Sequence, residues 1–268
     1  MTASMTFDDL VAEGAAVPVE GWDFSWFAGR ATEERPSWGY SRLLGEAMAR
    51  VDAALDIQTG GGEVLAGIPK APPVLAATES WLPNLEVARR NLAPLGATVV
   101  ESAEDAPLPF ADASFNLVCS RHPTITPWAE IARVLRPGGN YLSQAIGAGT
   151  VRELTDYMMG PQPVDQVPTP QRVRVACAEV GLVPDDVRQE SLRMEFFDIA
   201  AVVHFLRKVI WIVPGFTVDA YHDRLLTLHQ QIQAEGPFVA HSQRVLVVAH
   251  KPTAHKPTAH KLTAHKPV

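Results

Sequence analysis

The sequence contains few of the features that define disulfide-rich, zinc-binding or membrane proteins. It has only two cysteines in 268 residues, Cys119 and Cys177, which gives no disulfide framework and no zinc-ligand spacing. It has no apolar run of about 18 residues, and no basic stretch followed by an apolar one opens the chain. We therefore expect a soluble, cytoplasmic protein with no membrane segment and no metal centre. A P-loop, a catalytic-serine elbow and a His-Glu-x-x-His motif are also missing.

Basic charge is also scarce, because the formal net charge is −7. Four lysines and no acidic residue lie in the last 20 positions, so the rest of the chain is more acidic still. Binding to nucleic acid requires a basic surface that neutralises phosphates. The composition therefore favours a small-molecule partner over a nucleic acid.

Three consecutive glycines, Gly60 to Gly62, are the most informative feature that is present. They follow an apolar run formed by residues 51–57. This pattern predicts a buried strand that turns sharply into a helix. Glycine suits such a turn because it lacks a Cβ, so the backbone adopts positive φ angles and a ligand approaches closely. A glycine-rich turn alone would suit any nucleotide-binding protein.

A second apolar run, residues 73–78, ends in the carboxylate of Glu79, which lies 17 positions beyond Gly62. In a doubly wound sheet, the second strand ends beside the first, and an acidic residue there accepts hydrogen bonds from ribose hydroxyls. The alternative interpretation is an exposed acidic residue that precedes the helix predicted at 82–93.

Further segments follow in a specific order. They are the strand pattern 97–100, the stretch AEDAPLPFADASFN at 103–116, an apolar strand followed by Ser120, Arg121 and His122, and ARVLRPGG at 132–139. Together with residues 56–63 and Glu79, they resemble the class I S-adenosylmethionine-dependent methyltransferases of the small-molecule type 11 branch. The resemblance covers roughly residues 50–147. It implies an α/β, Rossmann-like, doubly wound, seven-stranded sheet with an antiparallel last strand.

The resemblance also implies a cofactor, S-adenosyl-L-methionine, and residues that bind it. Asp56 would face the cofactor's amino group, the turn would cradle its methionine part, and Glu79 would hold the ribose. Residues after the third and fourth strands would lie at the adenine and at the sulfonium end. The full set is Asp56, Gln58, Thr59, Gly60, Gly62, Glu79, Ala103, Glu104, Ser120 and Arg121. Gln58 occupies a position where the family usually has glycine, and it is expected to narrow the pocket.

Candidate residues for chemistry and for the substrate are more scattered. His122 follows the fourth predicted strand, at the sheet edge where ligands bind in open α/β folds, and it is the candidate catalytic residue. A general base is needed only for a nucleophile that is protonated at neutral pH. The candidate substrate-binding residues are Trp26, Tyr40, Tyr157, His204 and Trp211.

The chain divides into three predicted parts. Residues 1–50 would form an N-terminal helical lid, with six aromatic residues between Trp22 and Tyr40. Residues 51–249 would form the methyltransferase domain, with a helical insertion at 198–240 that shapes the substrate pocket. Residues 250–268 carry a five-residue His/Lys/Pro repeat and are predicted to be a disordered tail, because the repeat has no apolar face.

The predicted activity is methyl transfer by in-line displacement to the oxygen, nitrogen or carbon atom of a small molecule. Three alternatives remain at this point: an rRNA methyltransferase, a non-catalytic protein that binds S-adenosylmethionine and regulates a partner, and an NAD-dependent oxidoreductase. The acidic composition disfavours the first alternative. The turn lacks the G-x-G-x-x-G pattern and the chain lacks a Tyr-x-x-x-Lys motif, which disfavours the third.

Overall fold

The apolar runs of the sequence form neighbouring strands of one eight-stranded sheet with helices on both faces. The computed structural model describes residues 5–19, 24–163 and 168–253. Trp22 of the predicted aromatic cluster lies outside these residues.

The bounds of the elements are as follows. The strands are β1 (Ala31–Glu33), β2 (Ala53–Asp56), β3 (Val74–Glu79), β4 (Thr98–Glu101), β5 (Phe115–Arg121), β6 (Leu135–Ile146), β7 (Val183–Phe196) and β8 (Phe238–His250). The α-helices are α1 (Phe7–Ala16), α2 (Tyr40–Met48), α3 (Glu63–Ala66), α4 (Leu82–Leu92), α5 (Trp128–Val134), α6 (Arg152–Met159), α7 (Pro170–Glu179), α8 (Ile199–Lys208) and α9 (Val218–Glu235).

The strand order across the sheet is β1-β7-β8-β6-β5-β2-β3-β4. Strands β2 to β6 are parallel, whereas β8 runs antiparallel to both of its neighbours, β6 and β7. The predicted doubly wound sheet with an antiparallel last strand is confirmed for β2 to β8. Strand β1 is an additional edge strand, paired with the end of β7. It spans three residues, which is too short to give a strand pattern in the sequence.

The register of the parallel strands brings their carboxyl ends together at one edge. Asp56 at the end of β2 pairs with Ala77 of β3 and with Cys119 of β5. Glu79 pairs with Glu101 at the end of β4. Strand β2 is buried throughout, as expected for a central parallel strand that is covered on both faces.

The predicted insertion between the last two strands consists of helices α8 and α9. The side chains of Asp198 and Thr217 cap their N-termini by accepting hydrogen bonds from backbone N–H groups three residues later. Helix α8 is almost completely buried, because it packs against α1 and α9 within one hydrophobic cluster.

The N-terminal segment divides between two places. Helix α1 packs on α8 and α9, away from the glycine turn, whereas α2 packs on the sheet beside β5. The approach of α1 to α8 depends on Gly14, where an added Cβ would lie 2.4 Å from the carbonyl oxygen of Ala200.

The first residues of the segment predicted to be a tail contact the rest of the domain. His250 ends β8, and the Lys251 ammonium group donates to the carbonyl oxygens of Ala132 and Leu135 at 2.6 and 2.9 Å. Lys251 therefore satisfies carbonyl groups at the end of α5, and residues 254–268 lie outside the described residues.

None of the helices in the described ranges is both long enough and apolar enough to cross a membrane.

Replacing Gly14 by Ala should separate α1 from α8. The new Cβ would overlap the Ala200 carbonyl oxygen, and overpacking of this kind costs about 1–3 kcal/mol of unfolding free energy. Urea denaturation followed by circular dichroism measures the change. Gly67→Ala is the matched control, because the nearest atom to its added Cβ is 3.5 Å away. Equal stability of the two variants would contradict close packing at Gly14.

Candidate active site

The turn after β2 has the backbone geometry that its glycines predicted. Gly60 and Gly62 adopt φ angles of 63° and 77°. A Cβ on Gly62 would also lie 2.9 Å from Leu92 Cγ, so this position excludes larger residues for packing reasons as well. The amide nitrogen of Asn91 donates to the carbonyl oxygen of Gly61 at 2.8 Å, which ties the turn to α4.

Asp56 is a buried carboxylate with no cationic partner in the described structure. It accepts hydrogen bonds only from two neutral groups, the hydroxyl of Thr59 at 2.7 Å and the thiol of Cys119 at 3.3 Å. Burial raises the pKa of Asp56 to about 6, the two hydrogen bonds oppose this shift, and the nearby charge of Glu79 adds to it. The site therefore lacks a positive charge at this carboxylate.

Glu79 lies buried at the end of β3 and accepts hydrogen bonds from two separate backbone segments. Its Oε2 accepts from the N–H of Gly60 at 2.8 Å, and its Oε1 accepts from the N–H groups of Ser80 and Trp81 at 3.0 and 2.9 Å. A carboxylate offers about four acceptor positions, so one remains for a ligand hydroxyl. Glu79 thus connects the glycine turn with the start of α4.

Gln58 spans the cleft between the glycine turn and the loop that follows β5. Its amide nitrogen donates to the carbonyl oxygen of Ile125 at 2.6 Å, and its amide oxygen accepts from the backbone N–H of Thr124 at 2.7 Å. The hydroxyl of Thr124 also donates to Glu104, whose other oxygen accepts from the hydroxyl of Ser80. Gln58, Thr124 and Glu104 therefore form one bridge across the predicted cofactor cleft.

The side chains of Ala103 and Ser120 contribute less to this cleft than those of Gln58, Thr124 and Glu104. Ala103 lies exposed in the loop after β4, beside Glu104. The hydroxyl of Ser120 is completely buried and bonds to the hydroxyls of Tyr141 and Ser143, both at 2.9 Å. The carbonyl oxygen of Ser120 accepts from the hydroxyl of Tyr40 at 2.9 Å, which fixes the start of α2 over the end of β5.

His122 is held by two neighbours that the sequence did not single out. The indole N–H of Trp38 donates to Gln144 Oε1 at 2.8 Å, and Gln144 Nε2 lies 3.1 Å from His122 Nε2. Since an indole nitrogen only donates, the amide of Gln144 has one orientation, in which its NH₂ group donates to His122. His122 Nε2 is therefore an acceptor and its proton lies on Nδ1.

Burial, together with two nearby arginines, keeps the ring of His122 neutral. Burial lowers the pKa of His122 well below its usual value of 6.5, and the cationic side chains of Arg121 and Arg244 lower it further. Its backbone is strained, with φ 54°, and its N–H donates to the carbonyl oxygen of Gln144 at 2.7 Å. The histidine is thus a weak base in a fixed orientation.

The predicted residues fall into two groups. The residues predicted to bind the cofactor lie along the carboxyl ends of β2 to β5. His122 and Tyr40 lie there as well. The other four substrate candidates belong to the helical part of the molecule: Trp26, Tyr157, His204 and Trp211. His204 is 1% exposed and its ring lies 4.9 Å from that of Phe27, so its environment is a hydrophobic core. Trp211 is 45% exposed in the loop after α8.

Four residues of the site were missed by the sequence analysis: Trp38, Thr124, Gln144 and Arg244. Trp38 was noted only as one of several aromatic residues. Gln144 and Arg244 lie inside strands, where a single polar residue carries no pattern. The described residues contain no cluster of histidine, cysteine or acidic side chains that could hold a metal ion.

The comparisons with known proteins agree with this geometry. Residues 55–143, which run from β2 to β6, match the family model described as "Methyltransferase domain". No curated protein matches the sequence.

Solved structures share the fold at low sequence identity. A candidate methyltransferase from Bacillus halodurans C-125 is 17% identical, with a TM-score of 0.59 over 81% of this chain and 100% of its own. The YcgJ protein of Bacillus subtilis is also 17% identical, with a TM-score of 0.57 over 80% of this chain and 98% of its own. A protein of unknown function from Deinococcus radiodurans R1 is 18% identical, with a TM-score of 0.54 over 91% and 98%.

Asp56→Asn should stabilise the ligand-free protein at neutral pH. The folded pKa of Asp56, about 6, lies above the ordinary 3.8, so the folded state binds its proton more tightly. Asp56 makes its full contribution to the free energy of unfolding below about pH 4, and this contribution of about 3 kcal/mol is lost as the pH rises to 6. Asparagine does not ionise, so the variant does not show this loss. The difference in unfolding free energy between variant and wild type should therefore grow from pH 4 to pH 7.

Asp52→Asn is the matched control for this series, because Asp52 is exposed at the other end of β2. A difference that is independent of pH at position 56 would show that this carboxylate ionises normally.

Gln144→Glu should reverse the tautomer of His122. A carboxylate at position 144 would accept hydrogen bonds from both the Trp38 indole and the His122 ring, so the histidine proton would move to Nε2. Nitrogen-15 NMR of the histidine rings distinguishes the two tautomers. His250, which bonds to Asp185, is the internal reference and should not change. An Nε2-protonated ring in the wild type would contradict the orientation set by Trp38.

Proposed function

We propose that this chain, whose residues 55–143 match the model of a methyltransferase domain, is a class I S-adenosylmethionine-dependent methyltransferase that methylates a small molecule. The acceptor atom would be an oxygen, nitrogen or carbon that attacks in line with the departing sulfur. The bound cofactor supplies an electrophilic methyl group on a sulfonium. The residues of the chain align the acceptor and exclude water.

The observation that carries this proposal is the buried carboxylate of Asp56. A buried charge is costly unless it is paired, yet no cation of the described structure reaches this one. The amino acid part of S-adenosylmethionine carries an ammonium group, which would supply the missing charge. Neutral ligands of the same size offer nothing equivalent at this position.

The remaining residues of the cleft fit the other parts of the cofactor. Glu79 keeps one acceptor position for a ribose hydroxyl, and the positive φ angles of Gly60 and Gly62 allow close approach of a ligand to the turn. The bridge from Gln58 through Thr124 to Glu104 crosses the region assigned to the adenine. Binding would therefore require this bridge to open or to lie over the ligand.

We assign His122 a role as a hydrogen-bond donor to the acceptor molecule. Its Nε2 accepts from Gln144, and its lowered pKa makes the ring a poor proton acceptor at neutral pH. A hydroxyl that needs a general base would gain little from it. The proposed acceptor is therefore a group whose lone pair is already free, such as a carboxylate, a phenolate, an enolate or a neutral amine.

Calorimetry of the purified protein tests the proposal first. S-adenosylmethionine and S-adenosylhomocysteine should bind in the micromolar range, and NAD should not bind. Release of S-adenosylhomocysteine in the presence of a small-molecule panel then separates an enzyme from a protein that binds the cofactor without catalysis. Binding of NAD without binding of either sulfur compound would overturn the proposal.

Glu79→Gln should weaken the binding of S-adenosylhomocysteine by about tenfold or more, because a hydrogen bond to a charged group contributes roughly 1.5–3 kcal/mol. The ligand hydroxyl would lose its charged acceptor, while the side chain keeps its size. Glu101→Gln is the matched control, because Glu101 is the exposed register partner of Glu79 on β4. Equal affinities of wild type and Glu79→Gln would remove Glu79 from the cofactor site.

A further inference from the structure

Two arginines converge on one face of the sheet beside His122. Arg121 ends β5 and pairs with Gln144 of β6, which in turn pairs with Leu246 of β8. Paired residues point to the same face, and Arg244 is two residues from Leu246, so it points to that face as well. The same face is covered by Trp38, which contacts Gln144.

Arg244 is held in place by the N-terminal segment. Its guanidinium group donates to the carboxylate of Glu33 and, at 3.1 Å, to the carbonyl oxygen of Gln243. Glu33 also accepts from the hydroxyl of Ser242, so its Oε1 is shared between two donors. The side chain of Arg244 is only 13% exposed, which gives it a fixed position.

Arg121 has no such partner. Its side chain is exposed, and it forms no hydrogen bond or ion pair with any residue that the structure describes. Glu33 compensates one of the two positive charges, so the group formed by Arg121, Arg244 and Glu33 keeps a net charge of +1. This excess lies at the ligand edge of a chain whose formal net charge is −7.

We propose that Arg121 and Arg244 form, beside His122, a subsite for an anionic oxygen group of the methyl acceptor. Arg121 supplies the free charge, and its guanidinium geometry matches a carboxylate or a phosphate. Arg244, which Glu33 holds in place, supplies further guanidinium N–H donors, and the Nδ1–H of His122 supplies a neutral donor. The effect of both arginines on the pKa of His122 agrees with their proximity to it.

The subsite would also favour the reactive form of the acceptor. A positive charge near a carboxyl or phenol group lowers its pKa and keeps its lone pair free. Such an acceptor needs no general base, which agrees with the weak basicity of His122. This inference rests on the proposed methyl transfer, and it narrows the substrate class to small molecules that carry an acidic oxygen.

The test uses the protein saturated with S-adenosylhomocysteine. Inorganic phosphate, pyrophosphate and benzoate are titrated into it, with benzamide as the uncharged counterpart of benzoate. Calorimetry measures affinity, and the ring nitrogen signals of His122 report where the anion binds. We expect at least one of the anions to bind and to shift the His122 signals, and benzamide to leave them unchanged.

Arg121→Ala should weaken anion binding about tenfold or more, as expected for loss of a charge-assisted hydrogen bond. The affinity of the same variant for S-adenosylhomocysteine is measured alongside, because Arg121 is also a predicted cofactor-binding residue. Arg90→Ala, at an exposed arginine of α4, is the matched control and should bind anions like the wild type. Arg244→Lys keeps the buried charge and should retain part of the affinity.

Three results would overturn the subsite. These are no shift of His122 with any anion, unchanged anion affinity in Arg121→Ala, or a loss of S-adenosylhomocysteine affinity in that variant with anion binding intact. The last result would assign Arg121 to the carboxylate of the cofactor itself. Failure of the wild type to bind S-adenosylhomocysteine would instead contradict the proposed function, so the two failures are distinguishable.

Discussion

The uncompensated carboxylate of Asp56 is the constraint on which the site depends. Its register partners on β3 and β5 are Ala77 and Cys119, which are completely buried and carry no positive charge. Burial therefore raises the pKa of Asp56, and the charge of its carboxylate destabilises the ligand-free fold. A cationic ligand group would relieve this penalty, so stability and cofactor binding are coupled through one side chain.

Backbone strain marks the same edge of the sheet. Gln58 and His122 both adopt positive φ angles, 55° and 54°, although neither is a glycine. Such a conformation costs about 1 kcal/mol or more and persists where other contacts compensate it. The compensation is visible for each residue: Gln58 bonds to the loop after β5, and His122 bonds to Gln144. Glycine at position 58 would avoid the strain, but it would lose the side chain that crosses the cleft.

Local sequence determined what could be predicted. The glycine turn, the strand that ends at Glu79 and the two helices of the insertion at 198–240 each have a local sequence signal, so their places in the fold were predictable. The neighbours of His122 were not, because Trp38, Gln144 and Arg244 lie far apart in the sequence and only the tertiary fold brings them together. His204 illustrates the opposite case. A histidine among apolar residues suits a pocket wall or a helix core, and only the packing of Trp26 and Phe27 against His204 of α8 distinguishes the two.

The charges of the site also imply an order of binding under the proposed function. An anionic acceptor that enters first would approach the carboxylates of Asp56 and Glu79, with Arg121 and Arg244 to attract it. Once the cofactor is bound, its ammonium group neutralises Asp56 and its sulfonium adds a positive charge near Arg121. Attraction between charges at 4 Å amounts to about 1 kcal/mol in water and about 4 kcal/mol near a protein surface. The bound cofactor would therefore strengthen the anion subsite, which favours entry of the acceptor after the cofactor.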